Sequence, residues 1–210
     1  EGQERYWSCF ALAILAAMGI AFSGNLLTLF LFYELMTFST WPLITHHRSA
    51  ASKRSGRIYL FILVGSSTLL LLTAIVWTWV LTGTVRFEAG GILADSASPT
   101  QISLLILLFF FGTAKTAIFP FHQWLPNAMV APTPVSALLH AVAVVKAGVF
   151  TVLKLSTMVI GPAAMQASWG AEVVAWFAAG TILLTSVIAL SKPELKARLA
   201  YSTIGQLNYI

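Results

Sequence analysis

The chain has 210 residues, 58% of them hydrophobic and only 9% charged, with a formal net charge of +5. A soluble domain carries about 25% charged residues, so this chain has too few to cover a water-facing surface. That excludes an ordinary globular enzyme, a nucleic-acid reader and a disordered linker. The basic residues sit mainly between long apolar runs, where membrane topology accounts for them. Cys9 is the only cysteine, which leaves no disulfide framework and no thiolate metal site.

The first residue is Glu1 rather than Met, no secretory signal precedes the first apolar run, and the last residues, Tyr209-Ile210, fall inside a helix that has just begun. The chain therefore reads as an internal piece of a longer polytopic subunit. A spanning helix needs ~20 mostly apolar residues. In chain order the expected spans cover 7–23, 25–45 and 58–82. The next apolar run, 102–119, meets Phe119-Pro120 and is followed by a short apolar piece at 121–131. Proline removes a backbone donor and crowds the preceding turn, so this span is predicted to be two half-helices joined by extended residues. Spans at 134–159 and 171–190 follow, and a last helix starts near Leu195 and runs to 210. The expected fold is an all-α polytopic membrane protein, a transmembrane helix bundle in one domain with one discontinuous helix.

The loops set the orientation. Segment 46–57 holds Arg48, Lys53, Arg54 and Arg57 with no acid, and the turn at 191–198 holds Lys192, Lys196 and Arg198 against Glu194. The positive-inside rule places both in the cytoplasm, and an even number of crossings separates them. Loops 83–101, with Arg86, Glu88 and Asp95, and 160–171 then face outward. The start, with Glu1, Glu4 and Arg5, falls on the cytoplasmic side although it is weakly acidic. Trp41, Trp77, Trp79, Trp124 and Trp169 mostly lie near span ends, where an aromatic belt is a sufficient explanation.

The sequence has no phosphate loop, no G-x-G-x-x-G and no H-E-x-x-H, so no nucleotide, flavin, metal or other cofactor site is expected. His46-His47 lies in a basic loop without a nearby carboxylate or cysteine and reads as solvated surface.

Three ionisable residues fall inside predicted spans: Glu34, Lys115 and Lys146. Helix rise places Glu34 ~14 Å and Lys115 ~20 Å from the outer ends of their spans, and Lys146 ~18 Å from the inner end of its own. In a core about 30 Å thick all three are central, where a charge costs about 2.5–3.5 kcal/mol on insertion scales. One reading is a structural Glu–Lys pair. One acid cannot balance two lysines, however, and a buried pair is often no more stabilising than apolar residues of equal volume. Intramembrane ionisable residues are candidates for ion pathways and proton relays. A lysine suits a relay because loss of solvent favours its neutral form while a nearby carboxylate favours the charged one. The broken span adds exposed backbone groups at mid-membrane that can hold water or ions. His140 shares a helix with Lys146 at a spacing of six, off one common face, and can pass protons at ordinary pH. His122, beside the break, suits either a proton step or a fixed hydrogen bond. Lys154 lies near the outer end of its helix and is expected to snorkel to the interface.

These residues sit in a recognisable pattern. AKTAIFPFHQWLPNAMVAPTPVSALLHAVAVVKAGVF, residues 114–150, resembles the most characteristic segment of the antiporter-like subunits of respiratory complex I, Mrp-type Na+/H+ antiporters and membrane-bound hydrogenases. LTLFLFYELMTFSTWPLI (27–44) is similar to the family's fifth helix with its glutamate, and LKARLAYSTIGQLNYI (195–210) to the start of its tenth. The resemblance implies that Glu34 modulates the pump, that Lys115 is the proton carrier in the broken seventh helix, and that Lys146 and His140 are the eighth-helix lysine and histidine. Lys196 corresponds to a basic residue entering the tenth helix, where a topological role serves equally. It further implies a fold of about fourteen helices built on two inverted five-helix repeats, of which this chain holds helices four to nine and the start of ten. Implied partners are the other membrane subunits of a hetero-oligomeric complex, the lipid bilayer, and transported H+ with Na+ or K+, in a multi-pass protein of the cell's inner membrane. HAVAVVKAGVFTVLKL, with its lysine, leans towards an Mrp subunit of the D-like kind, with complex I and hydrogenase relatives close. The expected function is proton translocation within a cation/proton antiporter. The alternative is the pumping arm of an NADH:quinone oxidoreductase or membrane-bound hydrogenase. A third reading, a passive scaffold, ranks below both.

Overall fold

The computed structural model describes residues 3–46, 49–94 and 96–210. Glu1, His47, Arg48 and Asp95, which enter the expectations above, lie outside the described residues. Among the described residues the architecture is helical throughout, with a single isolated bridge between Asn25 and Arg86.

Helix α1 (Gln3–Phe22) and helix α2 (Leu26–Ile44) form a hairpin across a three-residue turn. Asn25 starts α2, its side chain accepting the Thr28 N–H at 2.7 Å, which satisfies one of the orphan donors of a helix N-terminus. Helix α3 (Ala50–Thr82) begins well before the expected span at 58. The reason is local: Ser49 accepts the Ser52 N–H at 3.1 Å and caps the helix. Lys53, Arg54 and Arg57 therefore ride on a helical turn, not in a loop. A wider π-type turn at Ser67–Leu71 interrupts α3. Gly112 packs against it so closely that a Cβ at this position would run into the Leu71 backbone nitrogen.

Helix α4 (Pro99–Gly112) opens on a full capping box, with Ser98 and Gln101 exchanging side-chain and backbone hydrogen bonds. Its 14 residues span only about 21 Å, so the crossing is completed by the irregular segment behind it and by α5 (Trp124–Ala128). Helix α6 (Thr133–Ile160) carries two further π-type turns, Leu138–Val142 and Ser156–Ile160. A short α7 (Pro162–Gln166) leads into α8 (Trp169–Ser191), and α9 (Leu195–Leu207) closes the described chain. The 83–98 connection is pinned to the end of α6, with the amides of Ile92 and Leu93 both donating to Val159 O.

Among the described residues five helices, α1, α2, α3, α6 and α8, are long and apolar enough to cross a membrane. Large apolar side chains on the outer faces stand exposed, Phe61 at 83% and Leu190 at 85% among them, as a lipid-facing surface requires. The largest fully buried side chains are Trp124, Tyr33, Tyr59, Phe109 and Lys115. Four aromatics and an amine are thus wholly withdrawn from the surface.

Candidate functional site

The site is built where α4 stops. The helix ends at Gly112 rather than at Phe119, so the interruption is wider than Pro120 alone would produce. Thr113 turns its hydroxyl back to Phe109 O at 2.7 Å, Ala114–Thr116 make one tight 3-10 turn, and Ala117 follows in the left-handed region at φ 56°. Each freed backbone group buried in hydrocarbon costs several kcal/mol if left unpaired, and distant side chains pair them here. Trp124 Nε1 donates to Ala114 O at 2.8 Å, Tyr33 Oη accepts the Lys115 N–H at 3.3 Å, and Thr181 Oγ1 accepts the Phe119 N–H at 3.1 Å. Trp124 is thus a fully buried brace of the break, not a member of an interfacial belt.

The Lys115 side chain is fully buried. Its Nζ donates to Tyr33 O at 2.9 Å and Thr37 Oγ1 at 2.7 Å, and lies 3.1 Å from the Tyr33 ring centroid. Glu34 is not among the groups that hold the amine, although its charge acts on it. Its Oε1 is buried and has no hydrogen-bond partner. Beside them, Thr40 Oγ1 and Tyr59 Oη share a hydrogen bond at 2.6 Å, and the Tyr59 ring meets Trp124 edge-on at 5.6 Å. Helices α2 and α3 and the break therefore meet in one buried polar knot around the amine.

The other expected residues fall elsewhere. His140 lies in the π-type turn of α6, its Nε2 hydrogen-bonded to Thr203 Oγ1 of α9 at 2.6 Å and its Nδ1 buried without a partner. Lys146 is close enough for its charge to act on that imidazole, but its side chain is exposed at mid-helix. His122 is buried in the break, stacked on Phe119 at 5.7 Å, with Nδ1 unpartnered. Lys196 is exposed and reaches Ala131 O at 3.3 Å, tying the start of α9 to the segment after α5.

Lys154 does not snorkel. It is 9% exposed and its Nζ donates to Ser23 O at 2.5 Å, with Ser23 Oγ and Ala21 O at 3.2 and 3.4 Å. It binds the carbonyls at the end of α1, where the helix dipole favours a cation. Lys154→Met should strand those acceptors at a cost of about 1–3 kcal/mol and lower the thermal midpoint followed by tryptophan fluorescence. An unchanged midpoint would assign the tie no weight. Sequence reasoning also passed over Tyr33, Thr37, Tyr59 and Thr203. A usable signal was present for the first two, a Tyr/Thr pair at i,i+4 on either side of Glu34.

A polytopic helical membrane protein with a helix broken around a buried lysine is the class this architecture defines. Residues 23–210 match the transmembrane family described as NADH:quinone oxidoreductase/Mrp antiporter, and the chain belongs to that family. It is 37% identical over 214 residues to putative antiporter subunit mnhA2 of Staphylococcus haemolyticus, covering 100% of this chain and 26% of that protein. It is 36% identical over 220 residues to NAD(P)H-quinone oxidoreductase chain 5 of Picosynechococcus sp., covering 100% and 32%. Among solved structures, the Mrp complex from Dietzia sp. superposes with a TM-score of 0.83 at 33% identity, over 98% of this chain and 22% of that one. An archaeal membrane-bound sulfane sulfur reductase complex does so with a TM-score of 0.80 at 25% identity, over 95% and 41%. The chain thus spans about a quarter to a third of the curated relatives named here. Those relatives are an A2 subunit and a chain 5, whereas the eighth-helix lysine alone leans towards the D-like kind.

Proposed function

We propose that the chain forms the first-repeat portion of a proton-translocating subunit in a multisubunit cation/proton antiporter of an inner membrane. The observation that carries this reading is the Lys115 amine, fully buried at mid-bundle beside a carboxylate whose Oε1 has no partner. An amine kept at that depth is costly, and its polar surroundings suit transient rather than permanent charge. Protons enter from the cytoplasmic side, where a cleft of about 380 Å³ lies between α5 and the α8–α9 turn, lined by Pro126, Asn127, Lys192, Glu194 and Tyr201. They load Lys115 with Glu34, pass to Lys146 and His140, and leave laterally from the exposed flank of α6. Its partners are the other membrane subunits of the complex, and its basic segments 46–57 and 192–198 face the cytoplasm.

The second reading, a pumping subunit of a quinone-linked complex, is favoured by the chain 5 likeness. The complex containing the full-length subunit, reconstituted in vesicles with a trapped pH dye, separates the two. An imposed Na+ or K+ gradient is expected to drive proton counterflow, reduced about tenfold or more in Lys146→Met. Counterflow that appears only on quinone reduction would transfer the chain to the second reading.

A further inference from the structure

An ammonium group has three N–H donors. In Lys115 one is taken by Tyr33 O at 2.9 Å, one by Thr37 Oγ1 at 2.7 Å, and the third faces the Tyr33 ring 3.1 Å away. None is left for Glu34, whose buried Oε1 stands unpartnered. The arrangement follows from helix geometry: Tyr33 and Thr37, four residues apart, share a face of α2, while Glu34 is turned about 100° from Tyr33. One helix thus presents the amine with two adjacent berths, a neutral one and an anionic one.

We infer that Thr37 is a positioning residue: with the Tyr33 carbonyl it forms the neutral berth that holds the Lys115 amine off Glu34, so that proton hand-over at this amine depends on the Thr37 hydroxyl. The inference rests on the relay reading of Lys115. The Thr37 hydroxyl accepts from Nζ while donating to Tyr33 O at 3.2 Å, a double role that only a hydroxyl at this position fills. With the berth intact, the amine can leave the carboxylate without losing its hydrogen bonds, so a proton can be released from a solvent-poor site. Without the Thr37 hydroxyl, Tyr33 O alone is left to hold the amine on the neutral side, and the pull of the Glu34 charge closes the ion pair.

The test uses the complex with the full-length subunit in vesicles. Thr37→Val keeps the shape and removes the acceptor; Thr37→Ser keeps the acceptor. Thr37→Ala offers the same contrast should valine disturb assembly. Exchange is expected to fall about tenfold or more in Thr37→Val and to stay within about twofold of the parent in Thr37→Ser. The infrared carboxylate band of Glu34, assigned by its loss in Glu34→Gln, is expected to shift in Thr37→Val alone as the amine comes within about 4 Å. Parental exchange in Thr37→Val, or lost exchange with an unshifted band, would overturn the berth. Parental exchange in Lys115→Met would instead remove the relay reading, and the berth with it.

Discussion

Lys115→Met is expected to reduce ion exchange by about 100-fold or more while leaving the assembled complex at least as heat-stable as the parent. The two halves of this expectation come from different features. Exchange fails because methionine cannot carry a proton, and no other described amine or imidazole occupies the centre of the knot formed by α2, α3 and the break. Stability holds because the acceptor the amine leaves on Tyr33 stays paired: Tyr33 O keeps the Thr37 hydroxyl at 3.2 Å, and Tyr33 Oη still accepts the backbone N–H of residue 115. Methionine also follows the shape of a lysine stem and fills irregular core space well. Removing the amine relieves a cost of about 2.5–3.5 kcal/mol for a charge at mid-membrane. Exchange in vesicles and the thermal midpoint of the purified complex check both parts. A variant that keeps exchange strikes Lys115 from the path. One that loses both activity and stability makes the amine a structural strut, as the paired-charge alternative requires.

What was legible in the sequence was what depends on local order. Apolar runs with basic turns between them mark α1, α2, α6 and α8 to within a few residues, because span length and charge placement are read directly from the chain. Glu34 and Lys115 stand out for the same reason, as charges inside those runs. The break was visible in kind but not in extent. Pro120 announces it, yet α4 stops at Gly112 because Tyr33, far away in the chain, and Trp124, on the other side of the break, take up the backbone groups that leaving the helix frees. No periodicity carries that information. Lys154 was misjudged on the same ground: a lysine near a helix end reads as snorkelling until the carbonyls at the end of α1 are known to lie beside it. The exposure of Lys146 was equally hidden, since its flank of α6 is chosen by how that helix packs on α1 and on the break.

The same packing makes Gly148→Val the glycine replacement expected to disturb the Lys115 segment most directly. Gly148 lies on the face of α6 that crosses the Ala114–Thr116 turn. A Cβ there would sit 2.8 Å from the carbonyl carbon of Lys115 and 2.8 Å from the Thr116 nitrogen, both backbone atoms. No rotamer change relieves such a contact, so either α6 or the turn must move. Overpacking of this kind costs typically about 1–3 kcal/mol. The functional loss should be larger than the stability loss, because the displaced segment is the one that aims the Lys115 amine at Tyr33 O and Thr37 Oγ1. Where geometry controls the step, a shift of about 1 Å is worth on the order of 100-fold. Gly65 supplies the control: it lies in α3, where an added methyl group would meet nothing within 4 Å. Gly65→Ala should raise helix stability by up to about 1 kcal/mol with exchange unchanged. Exchange rates and thermal midpoints of Gly148→Ala, Gly148→Val and Gly65→Ala, measured together, decide the point. A graded fall across the two Gly148 variants, steeper in exchange than in midpoint, is expected. Equal behaviour of Gly148→Val and Gly65→Ala would mean that α6 does not set the position of Lys115.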